Sequence, residues 1–218
     1  MAVRWYVAYA LSYRDIEELM AERGVKVDHS TVNRWTIQYA PQLEIEFRKK
    51  HKSKTNRSWR MDETYIKIKG KWCYLYRAVD KHGDTIDFTV SEKRNKKAAK
   101  RFFVKAIGSS GLPEKITVDK SGSNKAALDA INLELAILFM MSGVFFHLEI
   151  RQIKYLNNIV EQDHRSIKKI TKPMKGFKAF HSAEATIAGI ELHHMLRKGQ
   201  HRQAANMTIF EQFYALAG

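Results

Sequence analysis

The stretch WRMDETYIKIKGKWCYLYRAVDKHGDTIDFTVS, residues 59–91, decides the fold. It contains three runs rich in β-branched and aromatic residues, which are typical of strands. Gly70 and the segment KHGD separate the runs, and both are signals for turns. The stretch therefore predicts an antiparallel meander of three strands.

Downstream of this meander, helix-like and strand-like segments alternate. The helical segments are 95–111, 124–141, 157–170 and 182–199, and the strand-like segments are 114–123 and 144–153. Strands first and alternation afterwards are typical of a mixed sheet with flanking helices. The sequence therefore predicts an α/β domain with a mixed five-stranded sheet over residues 59–200, followed by a tail over 201–218.

Short helices are predicted for residues 1–46. Ser12 and Asp15 have the spacing of a capping box, Gly24 ends the second helix, and a third helix should begin at Ser30. Three helices of this kind favour a helix-turn-helix domain that binds DNA, and the alternative is a helical module for packing or dimerisation. The candidate DNA-binding residues are the polar ones around the start of the third helix: His29, Ser30, Thr31, Asn33 and Arg34.

The balance of charge points to a polyanionic partner. Lysine and arginine number 38 against 23 acidic residues, which gives a formal net charge of +15. Nucleic acid is the first candidate and an anionic membrane surface the second. Within residues 47–58, the stretch RKKHKSKTNR carries no acid and predicts a solvated basic linker that adds nonspecific phosphate affinity.

Two features narrow the class of protein further. The apolar run from Leu135 to Phe146 is shorter than the roughly 18 residues of a spanning helix, so we predict that it is buried core and that no membrane is involved. Cys73 is the one cysteine of the chain, which excludes a disulfide framework and a cysteine-based zinc site. With no secretory signal at the start of the chain, an intracellular, reducing compartment is expected.

Three acidic residues stand where chemistry is expected. Asp62 lies in the first strand, Asp119 ends the fourth, and Glu161 lies on the amphipathic helix after the fifth. Reactive groups gather at strand ends in α/β sheets, and three such carboxylates repel one another unless hard cations bind between them. Mg²⁺ or Mn²⁺ fits this donor set, and two ions about 4 Å apart would suit attack on a phosphodiester. The alternative is a set of unrelated surface and capping carboxylates.

Several consecutive residues around each acid resemble one known family. The segments WRMDETYIKIKGKWCYLYRAVD, TVDKSG, RQIKYLNNIVEQDHRSIKK and GIELHHMLRKGQ are similar to the DDE transposases of the insertion-sequence-six family of bacterial mobile elements. The segment SYRDIEELMAERGVKVDHSTVNRW resembles the helix-turn-helix of that family. The resemblance covers nearly the whole chain and implies a ribonuclease H-like fold in which Asp62, Asp119 and Glu161 are the catalytic metal ligands.

The resemblance also implies an activity. Members of the family bind the terminal inverted repeats of their element, cut one strand and join it to target DNA, by a replicative route through a cointegrate. Double-stranded DNA, two Mg²⁺ or Mn²⁺ ions and at least a second copy of the chain are the implied partners, in the cytoplasm of a bacterium at the nucleoid. Lys168 is implied to hold a DNA phosphate at the catalytic centre, and Arg165 and Lys169 to face other phosphates.

Two features differ from the family pattern. The chain begins inside what resembles the first helix of its DNA-binding domain, so we expect that domain to be shortened at its amino terminus. Asp119 and Glu161 are also farther apart than is usual, and the excess falls in LAILFMMSGVFF. The alternatives that these features leave open are a decayed or truncated copy that only binds DNA, as a repressor would, and a nuclease of the same fold.

Overall fold

The computed structural model describes residues 1–120, 122–143 and 145–217, and these form two compact units. Unit 1 combines residues 1–53 and 67–71 with the residues from Arg165 onward, and unit 2 combines residues 54–66 and 72–164. Each unit thus joins segments that are distant in the sequence, whereas the predicted domains are consecutive. Ser121 in the predicted Gly/Ser loop, Val144 in the predicted fifth strand and Gly218 in the predicted tail lie outside the described residues.

The described secondary structure follows the predicted order of elements. The strands are β1 Ser58–Ile68, β2 Lys71–Asp80, β3 Thr85–Ser91, β4 Lys115–Thr117 and β5 Glu149–Arg151. The helices are α1 Ala2–Ala8, α2 Tyr13–Ala21, α3 His29–Glu46, α4 Lys96–Ser110, α5 Gly122–Ser142, α6 Asn158–Thr171, α7 Phe180–Arg197 and α8 Ile209–Ala215. A π-helical turn, Phe47–His51, continues α3 into what was predicted to be a linker.

The strands form one mixed sheet in the order β3-β2-β1-β4-β5. Strands β2 and β3 are antiparallel, whereas β4 runs parallel to both β1 and β5. The prediction of a mixed five-stranded sheet with flanking helices is confirmed. The long connection through β2, β3 and α4 allows β4 to run parallel to β1, since parallel strands need a long crossover connection.

The core of unit 2 lies between the sheet and helices α4 and α5. Trp59 and Met61 of β1 are buried there with Phe102 and Phe103 of α4 and Leu128 of α5. Asn95 caps α4 by accepting a hydrogen bond from the backbone N–H of Ala98. This packing fixes the strands whose ends carry the acidic residues.

The end of α5 corrects one prediction. The run from Leu135 to Phe146 was expected to be buried core, but Met140 is 79% exposed, Met141 81% and Phe145 71%. The prediction was wrong because α5 packs on the core through its first turns, where Leu128 and Ile131 are buried. The apolar residues continue past that contact without a polar stripe, so their pattern gave no sign of where burial ends. None of the described helices has the length and apolar character to cross a membrane.

Unit 1 is mostly helical, and Gly189 allows close packing of helices α1 and α3 against α7. The predicted capping box of α2 is present, and Asp28 caps α3, which begins one residue earlier than predicted. In α7, a Cβ atom placed on Gly189 would lie 2.6 Å from Cγ1 of Val7 and 2.9 Å from Cβ of Ala40. Helices α1 and α3 therefore approach the backbone of α7 as closely as they do only because position 189 has no side chain.

Gly189→Ala should destabilise the protein by about 1–3 kcal/mol, because overpacking a close contact outweighs the better helix propensity of alanine. Gly108→Ala in α4 is the matched control, since nothing lies within 4 Å of its Cβ position. The control should be neutral or more stable than wild type by up to about 1 kcal/mol. Urea unfolding of both variants measures the difference, and equal stability of the two would contradict this account of the packing.

Candidate active site

Two of the predicted acids come together because β1 and β4 are parallel neighbours. The register pairs Ser58 with Lys115 and Arg60 with Thr117. Two residues further along each chain are Asp62 and Asp119. Residues in matching positions on adjacent parallel strands lie side by side. The sheet therefore places these two carboxylates at one point.

A third acid, which sequence reasoning missed, joins this pair. Among the described residues, one group of three potential ligands has its ligand atoms within 4.8 Å of one another, and it consists of Asp62, Glu63 and Asp119. Strict alternation along β1 would point Asp62 and Glu63 to opposite faces of the sheet. The buried positions are 59 and 61 before this pair and 64, 66 and 68 after it, so the alternation shifts by one residue here. The shift allows both neighbours to face the same point, and the change of the apolar residues from odd positions (Trp59, Met61) to even positions (Ile66, Ile68) is the sequence signal for it.

Arg94 balances the charge of this acid cluster. It lies in the loop between β3 and α4, where Nη2 donates to Oδ2 of Asp119 at 3.0 Å and Nε donates to Oε1 of Glu63 at 3.3 Å. Burial raises the pKa of Glu63, and the nearby charges of Asp119 and Asp62 act in the same direction. Burial opposes the charged form of Arg94, but Glu63 and then Asp119 outweigh it and raise the pKa of Arg94. The cluster is thus an anionic site whose charge is partly neutralised by the guanidinium of Arg94.

Side chains from two other elements orient Asp119. Nδ2 of Asn124, near the start of α5, donates to Oδ1 of Asp119 at 3.3 Å. Nε2 of Gln152, just after β5, donates to the backbone carbonyl of Asp119 at 3.3 Å. The acid is therefore held from both sides of the loop that follows β4.

Helix α6 approaches the cluster through His164 rather than through Glu161. Nε2 of His164 lies 3.2 Å from Oδ2 of Asp62, and its side chain is 5% exposed. Glu161, one turn earlier, is exposed, and its carboxylate is not among the ligand atoms gathered within 4.8 Å. The structure therefore brings together Asp62 and Asp119 of the three predicted catalytic acids, and it places Glu161 on the helix that contacts Asp62.

The predicted phosphate-binding residues lie in the second part of α6. Arg165, Lys168 and Lys169 are exposed there, in the part of the helix that belongs to unit 1. These cations make this part of the helix strongly basic. Their role toward DNA stays a prediction.

The predicted DNA-binding residues surround the amino terminus of α3, in unit 1. Ser30 and Thr31 donate to the carboxylate of Asp28 and lower the pKa of that residue. Arg34 is exposed and donates to Oγ1 of Thr31 at 2.7 Å. His29, Ser30 and Asn33 line a cavity of about 650 Å³. A network of short contacts thus orders this turn, and its role in recognising DNA stays a prediction.

The acid cluster has the donor chemistry of a magnesium or manganese site. Its ligands are carboxylate oxygens, which these cations prefer. The three ligand atoms lie within 4.8 Å of one another, so they converge on one point. Asp62 and Asp119 are the residues that would hold the metal, with Glu63 beside them.

Known proteins that resemble this chain identify its family. A family model described as a DDE domain matches residues 56–200. The transposase for the insertion sequence-like element IS431mec of Staphylococcus aureus is 43% identical over 202 residues, which cover 93% of this chain and 85% of the relative. The transposase for insertion sequence element IS257 in transposon Tn4003, also from Staphylococcus aureus, matches to the same extent.

This chain belongs to the insertion-sequence-six family of DDE transposases. Similar solved structures include the HTLV-2 integrase catalytic core domain in complex with magnesium, with 16% identity, a TM-score of 0.45 and coverage of 75% of this chain and 99% of that one. The catalytic core domain of BIV integrase has 16% identity and a TM-score of 0.42, with coverage of 63% and 84%. The predicted fold class is confirmed as a mixed five-stranded sheet with flanking helices, and the chain is an enzyme, a transposase whose DDE domain implies a divalent metal.

Asp119→Asn should lower the affinity of the transposase for Mn²⁺ by about tenfold or more, because an amide keeps the shape of the ligand but loses its charge. Isothermal titration of the protein without DNA measures this affinity. Glu92→Gln, at an exposed acid in the same loop as Arg94, is the control and should bind Mn²⁺ as wild type does. Wild-type affinity in Asp119→Asn would remove Asp119 from the metal site.

Proposed function

We propose that this transposase binds the terminal inverted repeats of its own element, cuts one strand at each end and joins the freed 3′-hydroxyl to target DNA. The route is replicative and passes through a cointegrate. The observation that carries this proposal is the acid cluster of Asp62, Glu63 and Asp119 on adjacent parallel strands, in a chain that belongs to a DDE family. One such centre suffices for both steps, since hydrolysis and strand transfer are in-line attacks on a phosphodiester by different oxygens.

Residues in and around the cluster have different roles in the proposed reaction. Two divalent cations bound there would supply activation of the attacking oxygen and stabilisation of the leaving oxygen. Asp62 and Asp119 would hold the cations, and Glu161 on α6 is the third acid proposed to bind them. Arg94, which contacts Glu63 and Asp119, keeps the carboxylates together while no substrate is present.

Basic residues outside the cluster hold and select the DNA. The net charge of +15 supplies salt-dependent affinity for phosphates, and Arg165, Lys168 and Lys169 contribute to it from α6. Base contacts from His29, Ser30, Thr31, Asn33 and Arg34 at the start of α3 select the element ends. Work at two ends requires at least two copies of the chain in the active complex, which forms on the bacterial nucleoid.

The activity itself is tested by removing one charge at a time. Asp62→Asn, Asp119→Asn and Glu161→Gln should each lower cleavage of element-end DNA by at least about a hundredfold, because each amide weakens the hold on the cations. Binding of the same DNA should change less than about twofold, since phosphate contacts elsewhere carry the affinity. Cleavage and gel-shift assays on one DNA substrate, with Mg²⁺, separate the two effects.

Each outcome of that experiment has a definite meaning. A variant that cleaves normally removes its residue from the catalytic set. A wild-type protein that binds the ends but cleaves under no divalent-metal condition is a DNA-binding copy without catalysis, and it contradicts the proposal. A wild-type protein that cleaves unrelated DNA as readily as element ends is a nuclease of the same fold.

Lys168→Ala should reduce cleavage and joining more than Lys169→Ala does. Lys168 follows Glu161 by seven residues, so it projects within about 20° of the same helix face, whereas Lys169 is rotated by about 100° from Lys168. Loss of one phosphate contact should also reduce the slope of log affinity against log salt by about one unit. The two variants are compared on the same end DNA at matched salt, and equal activities would leave Lys168 as ordinary surface charge.

A further inference from the structure

A buried polar chain connects Asp62 to helix α6. Arg77 of β2 has a side chain that is 0% exposed, and its Nη2 donates to Oδ2 of Asp163 at 2.7 Å. Nη1 of the same guanidinium lies 3.5 Å from Nδ1 of His164. His164 in turn lies 3.2 Å from Asp62. Four side chains from β1, β2 and α6 thus form one continuous path.

The chemistry of arginine fixes the direction of each hydrogen bond in this path. A guanidinium has five N–H donors and no acceptor, so the ring nitrogen that faces Arg77 must accept. Nδ1 of His164 is therefore placed to accept from Arg77, and Nε2 is placed to donate to Oδ2 of Asp62. A donor fixed in this way holds the carboxylate of Asp62 in one orientation and leaves Oδ1 for a cation.

A second contact ties the start of α6 to the same strand. Nδ2 of Asn157, a residue that is 1% exposed, donates to the backbone carbonyl of Met61 at 3.2 Å. Met61 directly precedes Asp62. The segment 157–164 is therefore anchored to β1 at two adjacent residues, through the backbone carbonyl of Met61 and through the carboxylate of Asp62.

We propose that His164 is a positioning residue of the catalytic centre: held by Arg77, it orients Asp62 as a metal ligand and sets the rotation of the helix that carries Glu161. This inference rests on the proposed role of Asp62 in binding metal. Groups that donate to a metal ligand commonly change metal affinity or activity by about 10-fold to 100-fold when they are lost. The effect of His164 on metal binding is transmitted through its contact with Asp62.

The test compares two polar substitutions that differ in reach. The side chain of His164→Gln can present a donor near the position of Nε2, whereas His164→Asn is too short to reach Asp62. In titrations of the DNA-free protein, His164→Asn should weaken Mn²⁺ binding by about tenfold or more, and His164→Gln should stay within about threefold of wild type. Equal affinity in Asn, Gln and wild type would overturn the proposal, and so would equal losses in Asn and Gln.

A double-mutant cycle separates positioning from a general loss of structure. If His164 acts through Asp62, then His164→Asn should change Mn²⁺ affinity by less than about twofold in an Asp62→Asn background. Independent, multiplicative effects of the two substitutions would contradict the proposal. Because the titrations contain no DNA, a wild-type protein that fails to cut element ends would sink the proposed function and leave this result intact.

Discussion

Repulsion between carboxylates on adjacent strands is the constraint around which unit 2 is organised. Parallel pairing of β1 with β4 brings Asp62 and Asp119 together, and the shift in alternation along β1 adds Glu63. Like charges at this spacing destabilise a folded protein unless cations or hydrogen-bond donors offset them. Arg94 supplies a cation on the side of Glu63 and Asp119, and His164 supplies a donor on the side of Asp62. If divalent metal replaced part of the charge compensation that Arg94 provides, the same carboxylates would form a reactive centre.

Helix α6 serves two purposes at different points along its length. Its first half contributes Asp163 and His164 to the buried contacts with Arg77 and Asp62. Its second half carries exposed cations instead. Buried polar contacts fix the first half of the helix. They therefore also fix the backbone positions from which the exposed cations of the second half extend. The order of residues in the segment EQDHRSIKK, which is similar to the family, has this physical basis.

Much of the fold and part of the site could be predicted from the sequence. Asp62 and Asp119 were identifiable because the strand pattern next to each acid is local in the sequence. The ends of neighbouring strands in an α/β sheet are also where reactive groups gather. Glu63 was missed because ideal alternation in β1 assigns it to the opposite face, although the change of phase between Met61 and Ile66 marks the irregularity. His164 was also hidden, since its partner Asp62 is 102 residues away and no local pattern reports that contact. The exposed end of α5 shows the same limit, because an apolar run has equal hydrophobicity whether or not another surface covers it.

We infer that Asp62 and Asp119 form a metal centre whose geometry the sheet imposes. The most direct test is a crystal structure of the protein with Mn²⁺, with anomalous diffraction to locate the ion. We expect an anomalous peak about 2.1 Å from a carboxylate oxygen of each aspartate. His164 should keep its contact with the other oxygen of Asp62 in that structure. A peak elsewhere, or none at a saturating concentration of Mn²⁺, would contradict the account.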